Sequence, residues 1–330
     1  MVSVVIPNWN GEEFLEKCLL SLEKQTLAPD NVIVVDNGSQ DESVAIVEHK
    51  FPDVELVKLR KNHGFAGGVN RGIEVAMLEG ATYVALFNND AVADPEWLNV
   101  LVKAMEQEEK VGIINPKMRG EDELIDSTGE EYSTWGTAFS RGRGEVDHRQ
   151  YDSNDQRDIF AASGGASLYR TEMFEQVGLF DERFFAYYED VDISFRARLA
   201  GWEVRYEPTA IVHHHIGGTS EKLGPFRQQH MLKNAALLYT KNMPSRLYWK
   251  HWPKLVLTVG MKSLNLMMNL HIWALMKAWF GIVWYTPAIV AERWKIQKNR
   301  QLSSSQVEEI LYKGLSPTQK QKRLFRIFSR

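Results

Sequence analysis

TYVALFNNDAV, residues 82 to 92, contains the transition that determines the fold. An apolar run of strand length passes directly into Asn88, Asn89 and Asp90. Strands buried on both faces of a parallel sheet have this composition, and ligands bind outside the carboxyl ends of such strands. The stretch therefore predicts a polar site at a sheet edge. A metal site there is expected to have two acids, and this stretch has one.

Strands alternate with helices on both sides of this stretch. The apolar runs predict strands, namely VSVVIP (2–7), NVIVVD (31–36), VELVKL (54–59) and TYVALF (82–87). The periodic segments between them predict helices, namely EFLEKCLLSLEKQ (13–25), SVAIVEHKF (43–51) and FAGGVNRGIEVAMLEG (65–80). This alternation predicts an α/β fold with a Rossmann-like, mostly parallel central sheet covered by helices.

The pattern loosens between residues 115 and 160, where Gly, Arg and Asp are frequent. That composition fits either a flexible surface excursion or a lid, and the sequence does not decide between them. Order returns with a helix TEMFEQVG (171–178), a second helix that follows Asp190 and ends at Gly201, and a strand EVRYEPTAIVHHH (203–215).

The charge divides the chain into two unlike parts. Residues 1 to 221 contain 20 Lys and Arg against 40 Asp and Glu, whereas residues 222 to 330 contain 19 against 3. The second part is also rich in Trp, Met and Leu, but Lys262 and Lys277 interrupt its apolar stretches. We therefore predict a basic, mainly helical extension that lies on an anionic membrane surface.

A soluble helical cap or a dimerisation arm is the alternative interpretation of this extension, so a homo-oligomer is left open. Nucleic acid is not expected as a partner, because the basic residues accompany long apolar stretches instead of forming a polar groove. Cys18, the single cysteine, lies in CLLSL at helical spacing and predicts a buried thiol in a reducing compartment. The N-terminal VSVVIP lacks the features of a signal peptide, which favours a cytoplasmic location.

Polar segments follow each predicted strand and converge at one sheet edge if the strands form one sheet. These segments are IPNWNG, VVDNGSQDES, NHGFAGGVNRG and NNDAVADPEW. Asp36 follows a buried strand and is placed to accept hydrogen bonds from a base or ribose, or simply to cap the next helix.

Glycines mark the start of the predicted third helix. Gly64, Gly67, Gly68 and Gly72 allow close approach of backbone to phosphate at a helix N-terminus, or alternatively tight packing of the helix on the sheet. Their spacing fails the G-x-G-x-x-G pattern and they follow the third strand, which disfavours a nicotinamide-dependent dehydrogenase.

Acids and imidazoles gather in two later segments. AYYEDVD places Glu189 and Asp190 just ahead of a helix, where they complement its dipole or supply a general base. IVHHHIGGTS contains consecutive histidines that point to alternate faces of a strand, so one or two of them can join a given site. Neutral imidazole suits Mn or Zn, and the backbone of residues 217 to 220 is placed to contact phosphate.

The order of these motifs resembles the family 2 glycosyltransferases, over roughly residues 2 to 225. It is most similar to the rhamnosyltransferase subgroup that acts on lipid intermediates of cell-wall, O-antigen or capsular polysaccharide. The resemblance implies a GT-A fold for residues 1–225, followed by the membrane-associating extension at residues 226–330. It also implies transfer of a sugar from a nucleoside diphosphate with inversion.

The resemblance carries roles over to individual positions. Asp190 would be the catalytic base, with Gly164, Gly165 and Glu189 on the acceptor side. Asp90, His214 and Asn88 would surround a divalent cation, Mn or Mg. The residues that would bind the donor are Pro7, Asn8, Asn10, Asp36, Asn37, Gly38, Asn62, Gly64, Phe65, Gly67, Gly68, Asn70 and Asn89.

Asn88 departs from the family pattern, because it replaces the first acid of the DXD motif. A neutral amide oxygen is a weaker ligand for a hard cation than a carboxylate. The main expectation is an inverting, metal-dependent transferase, with dTDP-rhamnose as the favoured donor and a lipid-linked glycan acceptor, peripheral on the inner face of the cell membrane. A catalytically weak domain that binds nucleotide sugar or glycan as an assembly subunit is the alternative. A nucleotidyltransferase is disfavoured, because IPNWNG has no Lys or Arg for a triphosphate.

Overall fold

The computed structural model describes residues 1 to 120, 124 to 215 and 224 to 315. Strands and helices alternate through the first part as β1 (Val2–Asn8), α1 (Leu15–Glu23), β2 (Asn31–Asp36), α2 (Ser43–Lys50), β3 (Glu55–Lys58), α3 (Gly64–Leu78), β4 (Tyr83–Leu86), β5 (Ala91–Ala93) and α4 (Trp97–Gln107). The chain continues with β6 (Val111–Arg119), β7 (Ile125–Ser127), β8 (Glu130–Tyr132), β9 (Ala138–Ser140), β10 (Leu168–Arg170), α5 (Thr171–Val177), α6 (Glu189–Leu199) and β11 (Glu203–His214). It ends with α7 (Gly224–Asn242), α8 (Ser245–Met268), α9 (Ile272–Asn299) and α10 (Ser304–Ile310).

The central sheet has nine strands among the described residues, in the order β3-β2-β1-β4-β10-β6-β11-β5, with β7 paired to β6. β1 pairs in parallel with both β2 and β4, and β11 pairs in parallel with β6. β10 runs antiparallel between β4 and β6, and β5 is antiparallel to β11. The predicted α/β class with a mostly parallel sheet is therefore confirmed.

Helices cover both faces of the sheet, and each face has its own apolar core. On one face Leu19 of α1 and Leu101 of α4 pack with the strand residue Val34. On the other face Ile73 of α3 and Phe174 of α5 pack with Val5. Burial on both faces explains why the strand sequences are continuous apolar runs instead of alternating ones.

The loosely patterned segment after residue 115 contains ordered strands. β6 continues to Arg119, β7 adds to its edge, and β8 pairs with β9 in a small hairpin. β7, β8 and β9 have three residues each, too short for an alternating pattern to show in the sequence. Their order comes from pairing and packing partners distant in the chain.

Two local boundaries differ from the sequence interpretation. α6 begins at Glu189, so Glu189 and Asp190 lie in its first turn instead of ahead of it. β11 ends at His214, and the Gly217–Ser220 stretch expected to touch phosphate lies outside the described residues. Cys18 is fully buried, as its apolar neighbours predict.

In the part of the extension that the structure describes, there are three long helices and a short fourth one. α7 packs against α9 and α8, and α10 begins with a capping box in which Ser303 and Gln306 bond reciprocally. Within the described residues, α9 is long and apolar enough by length and composition to cross a membrane. The mainly helical character predicted for this region is confirmed.

Candidate active site

The first strands deliver polar side chains to one sheet edge. Asn8 and Asp36 are register partners at the carboxyl ends of β1 and β2. The Asn8 amide nitrogen lies 3.4 Å from Asp36 Oδ1 and donates to Ser39 Oγ at 3.2 Å, while its oxygen accepts from the Asn89 amide at 2.7 Å. Asn8 is almost fully buried, so it joins the loops after β1, β2 and β4.

The loop after β1 is fixed to the loop after β2. Asn10 has a left-handed backbone with φ of 52°, and its N–H donates to Ser39 Oγ at 2.9 Å. Its side-chain oxygen accepts from the Gln40 N–H at 2.8 Å. The edge around Asp36 is therefore built from two interlocked turns, as the convergence of the polar segments predicts.

Asn37 connects the loop after β2 to the start of α3. Its amide nitrogen donates to the Gly64 carbonyl at 2.8 Å and to Asn62 Oδ1 at 3.3 Å, and its oxygen accepts from the His63 N–H at 2.8 Å. Gly38 has φ of +78°, and a Cβ there would lie 2.8 Å from the Lys61 backbone. The turn accordingly excludes larger residues at position 38.

The glycines of α3 have different surroundings. A Cβ at Gly72 would lie 2.2 Å from the Val5 side chain, so this glycine serves tight packing of the helix on the sheet. Cβ atoms at Gly67 and Gly68 would approach His63 at 2.6 Å and Asn37 at 3.0 Å. Gly68 also lies near Pro7, so the helix start stands close to the β1 edge.

Asn70 has a structural partner. Its amide nitrogen donates to the Phe180 carbonyl at 2.9 Å and its oxygen accepts from the Phe180 N–H at 3.0 Å. The side chain is buried and both ends of its amide are used by one residue of the loop after α5. These contacts hold α3 to that loop, and because the amide nitrogen also donates to Glu182 Oε1 at 3.2 Å, both of its hydrogens are occupied.

Asp90 lies opposite His214, which arrives from the far strand β11. His214 Nε2 lies 3.2 Å from Asp90 Oδ1 and 3.3 Å from the Asn88 amide nitrogen. On its other side, His214 Nδ1 lies 2.9 Å from Asp126 Oδ2. The N–H of His215 donates to the Asp90 carbonyl at 2.9 Å, which fixes the end of β11 against this loop.

Charge around His214 determines its protonation. Burial alone lowers the pKa of the imidazole, but hydrogen bonds and charges from Asp126 and Asp90 outweigh burial and raise that pKa to about 9. Arg143 in turn holds Asp126, with its guanidinium 2.5 Å from Asp126 Oδ1. The result is a chain of alternating charges from Arg143 through Asp126 and His214 to Asp90.

The donor set fits part of a divalent cation shell. Asp90 offers carboxylate oxygen, Asn88 offers an amide oxygen on rotation, and His214 Nε2 offers imidazole nitrogen once it releases its proton to a base or to water. This mixed set suits Mn or Mg only together with further oxygen ligands. Among the described residues no group of three or more His, Cys, Asp and Glu side chains is arranged to hold a metal by itself. Substrate oxygens and water would have to complete such a site.

Asp190 stands on the opposite side of a glycine pair. Its carboxylate accepts from the N–H groups of Val191 at 2.8 Å and Gly164 at 3.3 Å. A Cβ at Gly164 would lie 2.9 Å from the Phe65 ring, and one at Gly165 would lie 2.9 Å from Met118. The Gly165 carbonyl accepts from the Asn88 N–H at 2.8 Å, so this short loop touches both the Asp190 side and the Asp90 side.

Burial raises the pKa values of Asp190 and of the acids around it. Burial raises the pKa of Asp190, although the N–H groups of Gly164 and Val191 act against it. Burial and the charge of Asp190 raise the pKa of Glu189 well above its usual range and that of Glu130 to about 8. A carboxylate with a raised pKa is a stronger base once it is deprotonated, which suits proton removal from a hydroxyl.

Several residues of this site were not found from the sequence. Asp126 lies on the three-residue strand β7, Arg143 follows β9, and Glu130 begins β8. All three belong to the segment between residues 115 and 160, whose sequence has no regular pattern. The sequence signal is limited to one acid in the short run Ile125–Asp126–Ser127. All three residues of that run are buried, and their burial depends on pairing with β6.

Comparison with known proteins places these features in a family. The model of glycosyl transferase family 2 matches residues 3–178. The N-acetylglucosaminyl-diphospho-decaprenol L-rhamnosyltransferase of Mycobacterium tuberculosis strain H37Rv is 30% identical over 233 residues, which cover 65% of this chain and 76% of that relative. The dTDP-rhamnosyl transferase RfbF of Shigella flexneri is 27% identical over 253 residues, 73% of this chain and 80% of that relative.

Solved structures show the same fold. TarS 1-349 of S. aureus, in complex with UDP-GlcNAc, superposes with a TM-score of 0.57 at 15% identity and covers 90% of each chain. The mannosyltransferase PcManGT of Pyrobaculum calidifontis, in complex with GDP-Man and Mn2+, superposes with a TM-score of 0.55 at 15% identity, covering 89% of this chain and 84% of that one.

The central sheet and its solved counterparts define a GT-A fold. The family model covers more than half of the sequence, and the chain belongs to glycosyl transferase family 2. The resemblance drawn from the motifs, including the rhamnosyltransferase-like subgroup, is confirmed by the relatives.

Proposed function

We propose that this protein is an inverting glycosyltransferase that moves a sugar from a nucleoside diphosphate to a hydroxyl of a lipid-linked acceptor in the synthesis of cell-wall polysaccharide, O-antigen or capsule. The arrangement of two acidic centres about the Gly164–Gly165 loop is the observation that carries it. Asp190 contacts one end of this loop and Asn88, beside His214, contacts the other. Inversion needs a base and a leaving-group site on opposite faces of the sugar.

The donor would lie along the edge formed by β1, β2 and the start of α3. Asp36, Asn37 and Gly38 would surround the nucleobase and ribose, because they form the interlocked turn at the ends of β1 and β2. The other residues that we propose to bind the donor would line the same edge, namely Pro7, Asn8, Asn10, Asn62, Gly64, Phe65, Gly67, Gly68 and Asn89. Asn70 would act there by holding α3 to the loop at Phe180.

Asp90 and His214 would hold Mn or Mg, with Asn88 as an auxiliary ligand. A bound divalent cation stabilises the negative charge that develops on a departing diphosphate. Asp126 would keep the Nε2 atom of His214 directed at the cation through its contact with Nδ1. Asp90, the single acid of the NND stretch, would thus bind the cation together with His214 from β11.

Asp190 would accept the proton of the acceptor hydroxyl. Its raised pKa makes it a stronger base once it is deprotonated. Its two N–H partners hold the carboxylate in a fixed orientation. Glu189, buried beside it with one carboxylate oxygen lacking a hydrogen-bond partner among the described residues, would lie on the acceptor side with Gly164 and Gly165. Burial and the charge of Asp190 raise the pKa of Glu189 well above its usual range, which favours the protonated form that would donate to a substrate oxygen.

The relatives support a particular donor and acceptor. One is named for N-acetylglucosaminyl-diphospho-decaprenol and another for dTDP-rhamnose, so we propose dTDP-rhamnose as donor and a polyprenyl-diphosphate glycan as acceptor. A lipid-linked acceptor requires the enzyme at a membrane. We therefore propose a cytoplasmic protein, peripheral on the inner face of the cell membrane, in which residues 1–225 catalyse transfer and residues 226–330 attach to anionic lipid.

Replacement of the base provides the direct test. Asp190→Asn should abolish rhamnose transfer from dTDP-rhamnose to N-acetylglucosaminyl-diphospho-polyprenol while calorimetric binding of dTDP with Mn changes little. Asp155→Asn, on an exposed turn, serves as the matched control. Equal loss of dTDP binding in Asp190→Asn would remove Asp190 from the base role, and retention of the donor's anomeric configuration in the product would contradict inversion.

Asn88 favours a second candidate, a catalytically weak domain that binds nucleotide sugar as an assembly subunit. It replaces an acid with an amide that contacts His214. Titration of dTDP with and without Mn or Mg, followed by the transfer assay, separates the two functions. Tight binding without turnover of any nucleotide sugar would favour the binding subunit.

A further inference from the structure

The loop that precedes Asp190 has an unusual backbone. Phe185, Tyr187 and Tyr188 adopt positive φ angles of 67°, 69° and 74°. The left-handed region is unfavourable for residues with a bulky side chain, because Cβ crowds the backbone. Three such residues within four positions persist only where the surroundings hold them in place. Tyr188 is also the residue immediately before α6.

Asn234 of α7 supplies that support from the C-terminal extension. Its amide nitrogen lies 3.0 Å from the Phe184 carbonyl, 2.9 Å from that of Ala186 and 2.6 Å from that of Tyr187. The two amide hydrogens are thereby shared among three carbonyls of the strained loop. Asn234 is 0% exposed, so water does not compete for these bonds.

The neighbouring residue of α7 extends the same contact. Lys233 donates from its ammonium to the Arg183 carbonyl at 2.7 Å, one residue ahead of the carbonyls held by Asn234. Four carbonyls of the loop, those of residues 183, 184, 186 and 187, are therefore bonded from two adjacent residues of α7. Side chains of one turn approach a loop as a rigid unit, so they fix its path more closely than independent contacts would.

α7 also holds Asp192, which lies two positions after Asp190 on α6. Asp192 is fully buried, and its carboxylate accepts from Lys241 Nζ at 2.9 Å and from the Asn242 amide at 2.7 Å. Arg196 of α6 donates to the same carboxylate at 2.8 Å. The backbone on both sides of Asp190 is thus anchored to one helix of the extension.

The strained loop reaches the donor side as well. The Phe185 carbonyl accepts from the Ala66 N–H at 3.2 Å, and a Cβ at Gly64 would lie 2.3 Å from that carbonyl. Displacement of the loop would therefore disturb both the base and the start of α3. Asn234 therefore holds a loop whose displacement by a small distance would misplace the reacting groups and slow transfer strongly.

We propose that Asn234 is a positioning residue for transfer, and that α7 belongs to the catalytic machinery instead of serving only as a link to the membrane. Asn234 fixes the Phe184–Tyr188 loop and so sets the orientation of Asp190 towards the acceptor hydroxyl. The inference rests on the proposed function in one respect, the role of Asp190 as base. The hydrogen bonds of Asn234 with the carbonyls of Phe184, Ala186 and Tyr187, which we call the clamp, do not depend on that role.

Kinetics test the catalytic part of the proposal. Asn234→Ala should lower kcat for rhamnose transfer from dTDP-rhamnose to N-acetylglucosaminyl-diphospho-polyprenol by about 100-fold, the order of loss expected for a misplaced reacting group. KM for dTDP-rhamnose should change less than about threefold, since the donor edge retains its contacts. Rates are normalised to the number of calorimetric dTDP sites, so that partial unfolding does not count as lost kcat. Asn299→Ala, on the exposed end of α9, is the matched control.

A pH profile separates positioning from a merely structural role. Loosening of the loop admits water to Asp190, whose pKa is raised by burial, so the acidic limb of kcat in Asn234→Ala should move to lower pH. The acids that face Asp190 are Glu189 of the same helix and Glu130 of β8, and both remain in the variant. Unchanged normalised kcat together with an unchanged acidic limb would overturn the proposal.

Hydrogen exchange tests the clamp without any substrate. Amides of residues 184 to 191 should exchange at least about tenfold faster in Asn234→Ala than in Asn299→Ala, while those of β1 and β2 stay protected. Asn234→Asp keeps the size but turns a carboxylate towards three carbonyl oxygens, so it should accelerate the same amides at neutral pH. Equal protection in all three proteins would refute the clamp. If the wild type shows the clamp but does not transfer rhamnose, the proposed function fails and the clamp stands.

Discussion

At the scale of single residues, Asp90 of the NND stretch contacts a chain of charged groups from distant parts of the sequence, namely His214, Asp126 and Arg143. The sequence identifies Asp90 and His214 as candidates, because Asp90 follows a predicted strand, His214 lies near the end of another, and the motifs match a known family. Their approach to 3.2 Å depends on the pairing of β11 with β5, in which His214 is the register partner of Ala91. Asp126 cannot be predicted from the sequence, since no local feature distinguishes it from the other acids of its polar segment.

Asp90 and Asn88 should differ in their effect on metal-dependent binding. Asp90→Ala should remove the increase in dTDP affinity that Mn produces, because the carboxylate is the only acid that this stretch offers. Asn88→Ala should only weaken it, since a neutral amide contributes less to a hard cation. Titration calorimetry of dTDP with and without Mn measures both. Equal and negligible effects would mean that the stretch is a strand end without a metal role.

Asp126 should act on metal affinity through His214. Asp126→Ala frees the Nδ1 atom from its 2.9 Å contact and should weaken Mn binding by about 10-fold to 100-fold, as loss of an outer-shell carboxylate does. Asp126→Asn, whose amide oxygen still accepts from Nδ1–H, should lose less. Binding of dTDP without metal should stay constant in both variants. Titration of Mn into the dTDP complex measures the effect, and unaltered affinity in Asp126→Ala would contradict it.

The pH dependence of transfer should report the raised pKa of Asp190. The base must be deprotonated, so kcat falls as pH falls through its pKa. Burial raises this pKa, and the acidic limb should therefore lie above the value of about 4 for an ordinary aspartate. Initial rates across the acidic range, with protein stability checked by fluorescence at each pH, locate the limb. A limb at or below the ordinary value would show that Asp190 is not the titrating base.

At the scale of elements, the helices α8 and α9 differ from those that cover the sheet by the large number of apolar side chains that they expose. Trp273 is 76% exposed and Trp294 75% exposed. Other exposed side chains of the same two helices include Trp249, Trp252, Val256, Leu257, Met261, Leu264, Met267, Met268, Met276, Trp279, Phe280, Val283 and Trp284. The composition of this region predicts such a surface, because Trp and Met beside Lys are typical of interfacial helices.

Substitution of exposed tryptophans should weaken membrane attachment without affecting the site. Trp273→Ser combined with Trp284→Ser should reduce binding to vesicles of mixed anionic and zwitterionic lipid by about tenfold or more, since each large side chain loses favourable transfer from water. Binding of dTDP should be unchanged. Sedimentation with vesicles measures attachment, and Leu78→Ser, an 88% exposed residue of α3, is the matched control. If both variants bind vesicles equally well, the exposed apolar face of α8 and α9 does not attach to the membrane and serves another partner.

At the scale of the whole molecule, the boundary drawn after residue 225 separates unlike compositions but crosses a continuous apolar core. Phe160, Phe184 and Phe195 of the first part pack in one cluster with Leu238 and Ile289 of the extension. Alternating strands and helices reveal the sheet from sequence, because each run is local. Packing between an acidic part and a basic one leaves no local periodicity, so the sequence shows two parts and not their shared core.

The fragment of residues 1–225 should accordingly fail to fold to a stable state. Loss of the extension would expose several large side chains, including Tyr132, Phe160, Phe184, Tyr188 and Phe195. At about 2 kcal/mol for each, the cost is on the order of 10 kcal/mol, which equals the whole stability of a typical protein of this kind. The fragment would also leave Asp192 buried without Lys241 and Asn242.

Thermal unfolding followed by fluorescence and circular dichroism checks this expectation. The full chain should lose its secondary and tertiary signals in one transition, because a shared core makes the two parts cooperate. A fragment that melts cooperatively near the temperature of the full chain would show that the extension is dispensable for folding. In that case the contacts of α7 with the active-site loop would act on catalysis alone, since stability would no longer require them.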